Sequence, residues 1–114
     1  MEIRRGDLVI VDFEPIIGSE QGRIRPAVII QNDIGNRYSP LTIVAPITSK
    51  AFTKEFPTNV ILRRDDSKLN KDSIILLNQL RTIDKLRLIK KIGTLNSEIM
   101  REVDFAAKIS LGLD

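Results

Sequence analysis

The chain has 114 residues, of which 42% are hydrophobic and 29% charged. This balance is typical of one folded domain spanning residues 1–114 rather than of a disordered chain. Neither cysteine nor histidine occurs, which excludes disulfides, thiolate nucleophiles, histidine-ligated zinc and histidine-based ribonuclease chemistry. The net charge of +3 permits a nucleic acid or an acidic protein as partner without demanding either.

The N-terminal sequence MEIRRGD leads directly into a strand pattern and lacks the apolar region of a signal peptide. No apolar run reaches the roughly 18 residues of a membrane span. We therefore expect a cytoplasmic protein with no membrane partner. The excess positive charge lies in residues 58–114, which carry 11 basic and 8 acidic side chains, against 7 and 7 in residues 1–57.

The first half of the chain predicts four short strands, because β-branched apolar runs alternate there with turn-forming residues. These strands cover residues 8–13, 26–31, 41–47 and 58–62. The loop over residues 16–24 exceeds the usual hairpin length, and long loops in compact domains often carry function. Turn-forming residues at 32–40 predict a turn or loop, and Pro46 predicts an edge or bulged position for the third strand.

The second half predicts a fifth strand over residues 72–77, a polar segment at 78–82 that leads away from it, and a brief final strand over residues 91–94. Asp84 is placed to cap a short helix over residues 85–89. The clearest helix covers residues 97–111, with Asn96 at its N-cap. Its mostly apolar face follows helical spacing and comprises Ile99, Val103, Ala106, Ala107, Ser110 and Leu111.

Together these elements predict a mainly β protein. Five or six short strands joined by long polar loops favour a strongly curved antiparallel sheet or a partly open barrel. The terminal helix is expected to close the core of that sheet. Phe13 and Phe105 are expected to lie within this core.

Arg25 is a candidate phosphate ligand. A proline biases the preceding residue toward an extended backbone, so Pro26 is expected to hold Arg25 at the entrance of the second strand. A guanidinium fixed there, beside a polar loop, suits the binding of a phosphate group. The alternative is a surface arginine before an ordinary core strand, which is the commoner use of an exposed charge.

Three segments occur in order along the chain: GSEQGRIRPAVIIQND from Gly18, APIT from Ala45 and KDSIILLNQLRT from Lys71. In them the chain resembles the MazF/PemK/Kid family of toxins from bacterial toxin–antitoxin systems, and the likeness runs from Arg4 to Ser110. The resemblance implies an SH3-like antiparallel barrel of five to seven strands with a short helix and a C-terminal helix, assembled as a homodimer. It also implies an endoribonuclease that cuts single-stranded mRNA sequence-specifically, needs no metal or cofactor, and is neutralised by the acidic segment of a cognate antitoxin protein.

The resemblance assigns the catalytic role to two residues. The family's catalytic arginine lies in a Gly-x-x-Arg-Pro motif, which Gly22 to Pro26 meet here, so the role falls on Arg25. Its catalytic threonine follows the third strand and corresponds to Thr48, although a threonine at a strand end is, taken alone, usually structural. Arg23 stands where the family pattern leads us to expect a small residue.

Substrate-binding residues follow from the same likeness. The family's first long loop, here Ser19, Glu20 and Gln21, borders the RNA path. The end of the fifth strand, with Gln79 and Arg81, resembles the base-reading segment; the alternative is that both side chains simply end a strand in solvent. Because Arg23 and a neighbouring position, Asn78, depart from the family pattern, the sequence preference does not carry over.

Metal-free cleavage by the ribose 2′-hydroxyl needs a base, charge stabilisation at the phosphoryl oxygens, and a proton for the leaving 5′-oxygen. The fork of guanidinium donors matches phosphate oxygens, so we assign Arg25 to transition-state stabilisation and to protonation of the leaving group. Thr48 would bind the scissile phosphate or orient the attacking hydroxyl. Glu20 is the candidate base, because the chain has no histidine; its alternative role is that of a loop acid facing solvent.

Two other interpretations stay open at this level. A toxin of the same barrel shape that grips DNA gyrase, as the CcdB family does, would bind a protein without catalysis. The pairing of Arg25 with Thr48 argues against it, since such a binder needs no phosphate-binding arginine there. A catalytically silent RNA-binding barrel would carry the same residues, because activity depends on sub-ångström placement.

Overall fold

A computed structural model of the protein describes residues 1–13, 23–49 and 56–114. Within these ranges the strands are β1 (Asp7–Asp12), β2 (Ile24–Ile29), β3 (Leu41–Thr48), β4 (Asn59–Leu62), β5 (Ser73–Leu76), β6 (Arg81–Asp84) and β7 (Leu88–Thr94). The α-helices there are α1 (Asp33–Tyr38) and α2 (Ser97–Leu111), and one-turn 3-10 helices cover Arg64–Asp66, Leu77–Gln79 and Lys85–Arg87. None of the helices in these ranges has the length and apolar composition needed to cross a membrane.

The strands form an antiparallel sheet in the order β4-β5-β3-β2-β1-β7, and β6 pairs with β3 beside this path. In the described part of the chain β4 and β7 end the sheet without pairing with each other, so the sheet is not closed. The predicted mainly β, antiparallel architecture with a C-terminal helix is therefore confirmed, in its open form.

Strand β3 lies at the centre of the sheet and changes partner along its length. One of its edges pairs with β2, while on the other edge residues 41–44 pair with β6 and residues 47–48 pair with β5. The expectation that Pro46 marks an edge or bulged position is therefore wrong. A proline cannot donate to a ladder, and a central strand tolerates Pro46 because it lies between the end of the β6 pairing and the start of the β5 pairing.

Side chains alternate between the two faces of the sheet and give it two apolar cores. The helix-side core, against α2, consists of Leu8, Val28, Ala45, Ile47, Val60, Leu62, Ile75, Leu77, Leu95, Ile99, Val103 and Ala106. The far-side core, on the opposite face, consists of Ile3, Val9, Val11, Phe13, Ala27, Ile29, Val44 and Ile83. Burying one large apolar side chain contributes about 1.5–3 kcal/mol, and a one-residue slip would exchange the two faces, so the register is strongly specified.

Residues 32–40, predicted as a turn or loop, contain helix α1. The turn-forming Asn32 caps this helix, because its side chain accepts a hydrogen bond from the Gly35 N–H at 2.8 Å. The buried Asn36 adds a tertiary bond, accepting from the Thr42 hydroxyl at 2.7 Å. The prediction was wrong because the residue types that cap helices are also those that form turns. Contacts with β3 stabilise the helix here, and a local pattern does not contain them.

Helix α2 covers the predicted residues 97–111, and Asn96 caps it by accepting a first-turn N–H at 2.8 Å. Gly112, with φ of 70°, ends the helix in the left-handed conformation that suits glycine. Two side-chain expectations are wrong, since Phe105 is 68% and Leu111 61% exposed. The 3.6-residue period turns Phe105 away from the sheet, and Leu111 lies beyond Ala106, the last buried residue of α2.

The segment that precedes α2 is richer in strand than predicted. Asp84 caps a helix by accepting the Leu86 N–H at 2.9 Å, as expected, but this helix is a single 3-10 turn over Lys85–Arg87. Residues 88 and 89 belong instead to β7, and residues 81–84 form β6. Pairing with β1 and β3 satisfies these backbone groups, which a local pattern does not reveal.

Candidate functional site

Strand β2 positions Arg25 through its pairing with β1. Val11 and Arg25 are register partners, and such partners share one face of an antiparallel pair. Arg25 therefore lies on the face of the far-side core. It is near the start of β2, where residues 24–26 come before the residues that pair with β3. The extended backbone predicted for Arg25 before Pro26 is confirmed.

The half-buried side chain of Arg25 reaches the end of β3. Its Nη2 atom donates to the carbonyl oxygen of Ile47 at 3.5 Å. Ile47 belongs to the helix-side core, so the next residue, Thr48, points to the opposite face, which it shares with Arg25. The two residues predicted to be catalytic are thus brought to one face, at the start of β2 and the end of β3. A bond of 3.5 Å is at the outer limit for a hydrogen bond, which leaves the guanidinium donors available to a phosphate.

Arg81 lies on the same face, but on β6 rather than at the end of the fifth strand. It is paired with Val44, a residue of the far-side core. Its guanidinium carbon lies 5.2 Å from the centroid of the Phe13 ring, a cation–π geometry worth about 0.5–1 kcal/mol at an exposed site. Phe13 is buried, as predicted, and in addition supports the exposed guanidinium of Arg81.

Gln79 lies in the 3-10 helix that follows β5 and lines a separate cavity. This cavity has a volume of about 220 Å³ and is lined by Phe56, Thr58, Asn59, Leu76, Asn78 and Gln79. The structure therefore separates Gln79 from Arg81 into two elements, whereas the sequence placed both at one strand end. Apolar and amide side chains together make the cavity suitable for a flat polar ring.

A second arginine stands close to Arg25. Arg23 forks onto Asp12, with Nε 3.0 Å from Oδ1 and Nη2 3.3 Å from Oδ2. Directly beside this pair the Phe13 N–H donates to the Arg23 carbonyl at 2.7 Å. Arg87 also reaches this point, since its Nη1 donates to the backbone carbonyl of Asp12 at 3.5 Å.

Arg23, Arg25, Arg81 and Arg87 thus gather around the end of β1, and we call them the arginine cluster. Sequence reasoning named Arg25 and Arg81, and it noted Arg23 as a departure without giving it a contact. Arg87 was missed, because its position depends on β7 pairing with β1. A cross-strand partner such as Asp12 cannot be identified before the register of β1 and β2 is known.

The proposed loop residues Ser19, Glu20 and Gln21 lie outside the described residues. In the described ranges no group of three acidic side chains is placed to hold a metal ion. Among the described residues, the structure places here four arginines and the amide of Gln79 beside the single carboxylate of Asp12, which pairs with Arg23, so cationic donors predominate and suit an anionic ligand.

A carboxylate with a perturbed pKa lies far from this site, at the other end of β2. Asp33 Oδ1 accepts the Arg5 N–H at 2.6 Å and the Asn36 amide at 3.1 Å. These hydrogen bonds, the one from Arg5 above all, lower the pKa of the Asp33 carboxyl below its usual value. Arg5 in turn binds Asp104 of α2 at 2.6 Å, so this network fastens the N-terminal segment to both helices and has a structural role.

The family model of the PemK-like, MazF-like toxins of type II toxin–antitoxin systems matches residues 4–111 of the chain. Among solved structures, a MazF from Deinococcus radiodurans is 27% identical with a TM-score of 0.79, and the match covers 99% of each chain. An endoribonuclease from a mycobacterial species is 19% identical with a TM-score of 0.81, over 99% of this chain and 94% of that one. A mycobacterial endoribonuclease in complex with its cognate antitoxin is 20% identical with a TM-score of 0.81, over 98% and 97%.

Proposed function

Since the chain belongs to the PemK-like, MazF-like toxin family of type II toxin–antitoxin systems, we propose that it is a sequence-specific, metal-independent endoribonuclease that cuts single-stranded mRNA. The observation that carries this proposal is the reach of Arg25 from the start of β2 to the end of β3, where Thr48 follows on the same face. A phosphate placed there meets a guanidinium fork and a hydroxyl together. The family match and the solved relatives lend no support to the gyrase-binding alternative.

In the proposed reaction the ribose 2′-hydroxyl attacks the neighbouring phosphorus. Arg25 donates hydrogen bonds to the phosphoryl oxygens as negative charge develops on them, and it protonates the leaving 5′-oxygen. Removing a preorganised donor of this kind costs on the order of 10²–10³ in rate. Thr48 binds the scissile phosphate or orients the attacking hydroxyl. Glu20 accepts the proton of that hydroxyl.

The RNA path extends from this point in two directions. Ser19 and Gln21 border it on the side of the first loop. Arg81 offers a cation beside Phe13, and Gln79 offers an amide at the rim of a cavity of about 220 Å³. An amide side chain forms paired hydrogen bonds with a base edge, as asparagine and glutamine do with adenine in DNA. Arg81 therefore contacts phosphate in this scheme, and Gln79 reads a base.

In this proposal the protein works in the cytoplasm as a homodimer. Its cognate antitoxin holds it inactive by placing an acidic segment across the basic surface that RNA would occupy. A structural relative was solved with its own cognate antitoxin, and the arginine cluster gives this chain a surface of matching charge. An acidic segment and RNA would then compete for the same guanidinium groups.

The decisive experiment is cleavage of a long, mixed-sequence RNA by the purified protein in EDTA, beside the Arg25→Ala and Thr48→Val variants. We expect discrete fragments from the unchanged protein and a rate at least about a hundredfold lower for Arg25→Ala. Lys68→Gln is the matched control, because it removes one positive charge near Leu8 and Thr94, at the opposite end of β1 from Asp12.

Circular dichroism and gel filtration verify that each variant is folded and of unchanged size. If the folded, antitoxin-free protein leaves the RNA intact, the ribonuclease proposal is wrong, and gyrase inhibition becomes the next assay. Cleavage that persists in Arg25→Ala would instead reject the catalytic assignment.

A further inference from the structure

The paired fork of Arg23 and Asp12 has no part in the proposed catalytic reaction. Two guanidinium nitrogens meet two oxygens of one carboxylate, which is also the way a guanidinium grips a phosphate. Arg23 keeps 42% and Asp12 28% of the side-chain surface exposed. Exposed ion pairs contribute little to stability, so stabilising the hairpin is a weak explanation for this pair.

The spacing of Arg23 and Arg25 suits a phosphate chain. Arg23 directly precedes β2, and Arg25 is the second residue of that strand, so their backbone positions lie at most about 7 Å apart, the separation of such positions in a fully extended chain. This is comparable to the distance between successive phosphates of an extended single strand. A strand of RNA whose scissile phosphate lies on Arg25 can therefore bring a neighbouring phosphate within reach of the long Arg23 side chain at the end of the hairpin.

The local charge favours the same ligand. Arg87 donates to the backbone carbonyl of Asp12, and Arg81 lies over the adjacent Phe13 ring. Asp12 pairs with Arg23, and among the acidic side chains that the structure describes none forms an ion pair with Arg25, Arg81 or Arg87. The carboxylate of Asp12 consequently occupies, in the protein without RNA, the guanidinium edge that a phosphate would take.

We propose that Arg23 binds the RNA phosphate next to the scissile one, and that Asp12 acts as an internal competitor whose carboxylate RNA must displace. This inference rests on the proposed ribonuclease function and deepens it. Asp12 lowers the affinity for every single-stranded RNA alike, because the contact involves the backbone and not the bases. The chain thereby gives up some affinity at a position that its catalytic reaction does not use.

The test measures binding of a mixed-sequence 2′-O-methyl RNA, which cannot be cut because its attacking hydroxyl is blocked. Fluorescence anisotropy at several salt concentrations compares the unchanged protein with Arg23→Gln, Asp12→Asn, the double variant and the control Lys68→Gln. We expect Arg23→Gln to weaken binding about tenfold and to reduce the slope of log K against log salt by about 0.7. Asp12→Asn should tighten binding by about three- to fivefold.

The double variant distinguishes competition between Asp12 and RNA for Arg23 from a general repulsion of RNA by the negative charge of Asp12. If Asp12 acts through Arg23, Asp12→Asn has no effect once Arg23 is glutamine; a simple field effect would persist and overturn the competitor role. A structural clamp predicts that both single variants weaken binding together and lower the melting temperature, and that result also overturns the proposal. The proposal is also overturned if Arg23→Gln and Asp12→Asn each bind RNA with the same affinity as the control Lys68→Gln.

Failure of this inference is distinguishable from failure of the proposed function. If the unchanged protein cuts natural RNA in EDTA while Arg23→Gln and Asp12→Asn bind like the control, only the second phosphate contact is rejected. If the unchanged protein neither cuts nor binds RNA, the ribonuclease function is rejected and this inference with it.

Discussion

The position of Arg25 depends on a proline and on a strand register. Pro26 restricts Arg25 to an extended backbone, and pairing with Val11 directs its side chain to the far-side face. The contact with the carbonyl of Ile47 then sets the reach of the guanidinium. A substitution at Pro26 is therefore a change at the site, although Pro26 itself offers no catalytic group.

The assignment of the general base to Glu20 can be tested directly. We expect Glu20→Gln to lower kcat by about 10²–10⁴-fold with little change in KM, because general-base catalysis contributes a factor of that size. The pH profile of kcat should also lose its acidic limb, since glutamine does not titrate. Glu98→Gln, an exposed acid in the first turn of α2, is the control. Normal binding with an unchanged rate would remove Glu20 from the mechanism.

Single residues were predictable where a local motif determines them. Arg25 was selected because Pro26 marks the strand entrance that it occupies, and Thr48 because the APIT segment resembles the family pattern. The structure brings both to one face, and their catalytic roles stay predictions. Arg23, Asp12 and Arg87 acquire their contacts from the pairing of three strands that are distant along the chain, and a local pattern contains no register. The loop residues, Glu20 among them, stay predictions.

At the scale of elements, three helices begin with a side-chain N-cap. Asn32, Asp84 and Asn96 each accept a backbone N–H of the first turn. The caps at Asp84 and Asn96 were predicted because an apolar periodic segment follows them. Asn32 was not, since the short helix α1 lacks that pattern and depends on the buried Asn36 and its bond to Thr42.

The cap of α2 gives a prediction at this scale. Asn96→Ala should lower the free energy of unfolding by about 1 kcal/mol, because a first-turn N–H loses its acceptor. Activity per folded molecule should not change, since α2 packs on the helix-side core and Arg25 lies on the opposite face. Urea unfolding and the cleavage assay check the two parts. Asn70→Ala, at an exposed position between β4 and β5, is the control.

Equal stability of Asn96→Ala and Asn70→Ala would show that the hydrogen bond from Asn96 contributes nothing in solution. A loss of cleavage at full folding would show instead that α2 influences the site across the sheet.

At the scale of the whole molecule, the proposed binding of RNA is expected to depend on charge. We expect the affinity for single-stranded RNA to fall steeply with salt, with a slope of log K against log salt near −3 if the four members of the arginine cluster each contact a phosphate. Titrations from low to physiological salt measure this slope. A flat response would contradict a phosphate-dominated site.

The architecture was largely predictable, and its details were not. Short apolar runs between polar loops indicated a curved antiparallel sheet, and helical spacing indicated α2. Strand β6 and residues 88–90 of β7 were missed because charged residues such as Arg81, Asp84 and Lys90 are frequent there, and only sheet pairing reveals these strands. The organisation of residues 1–114 as one domain stays a prediction.

The change of partner along β3 has a consequence for how the protein is made. Arg25 is positioned by the hairpin of β1 and β2, whereas Thr48 lies in the part of β3 that pairs with β5. A nascent chain therefore cannot complete the site until β5 has left the ribosome, well after both proposed catalytic residues have been synthesised. A premature stop before residue 73 yields a fragment that contains both residues and lacks the strand that places one of them. Completion of the proposed site is in this sense a property of the late chain, because β5 must be present to pair with the segment of β3 that contains Thr48.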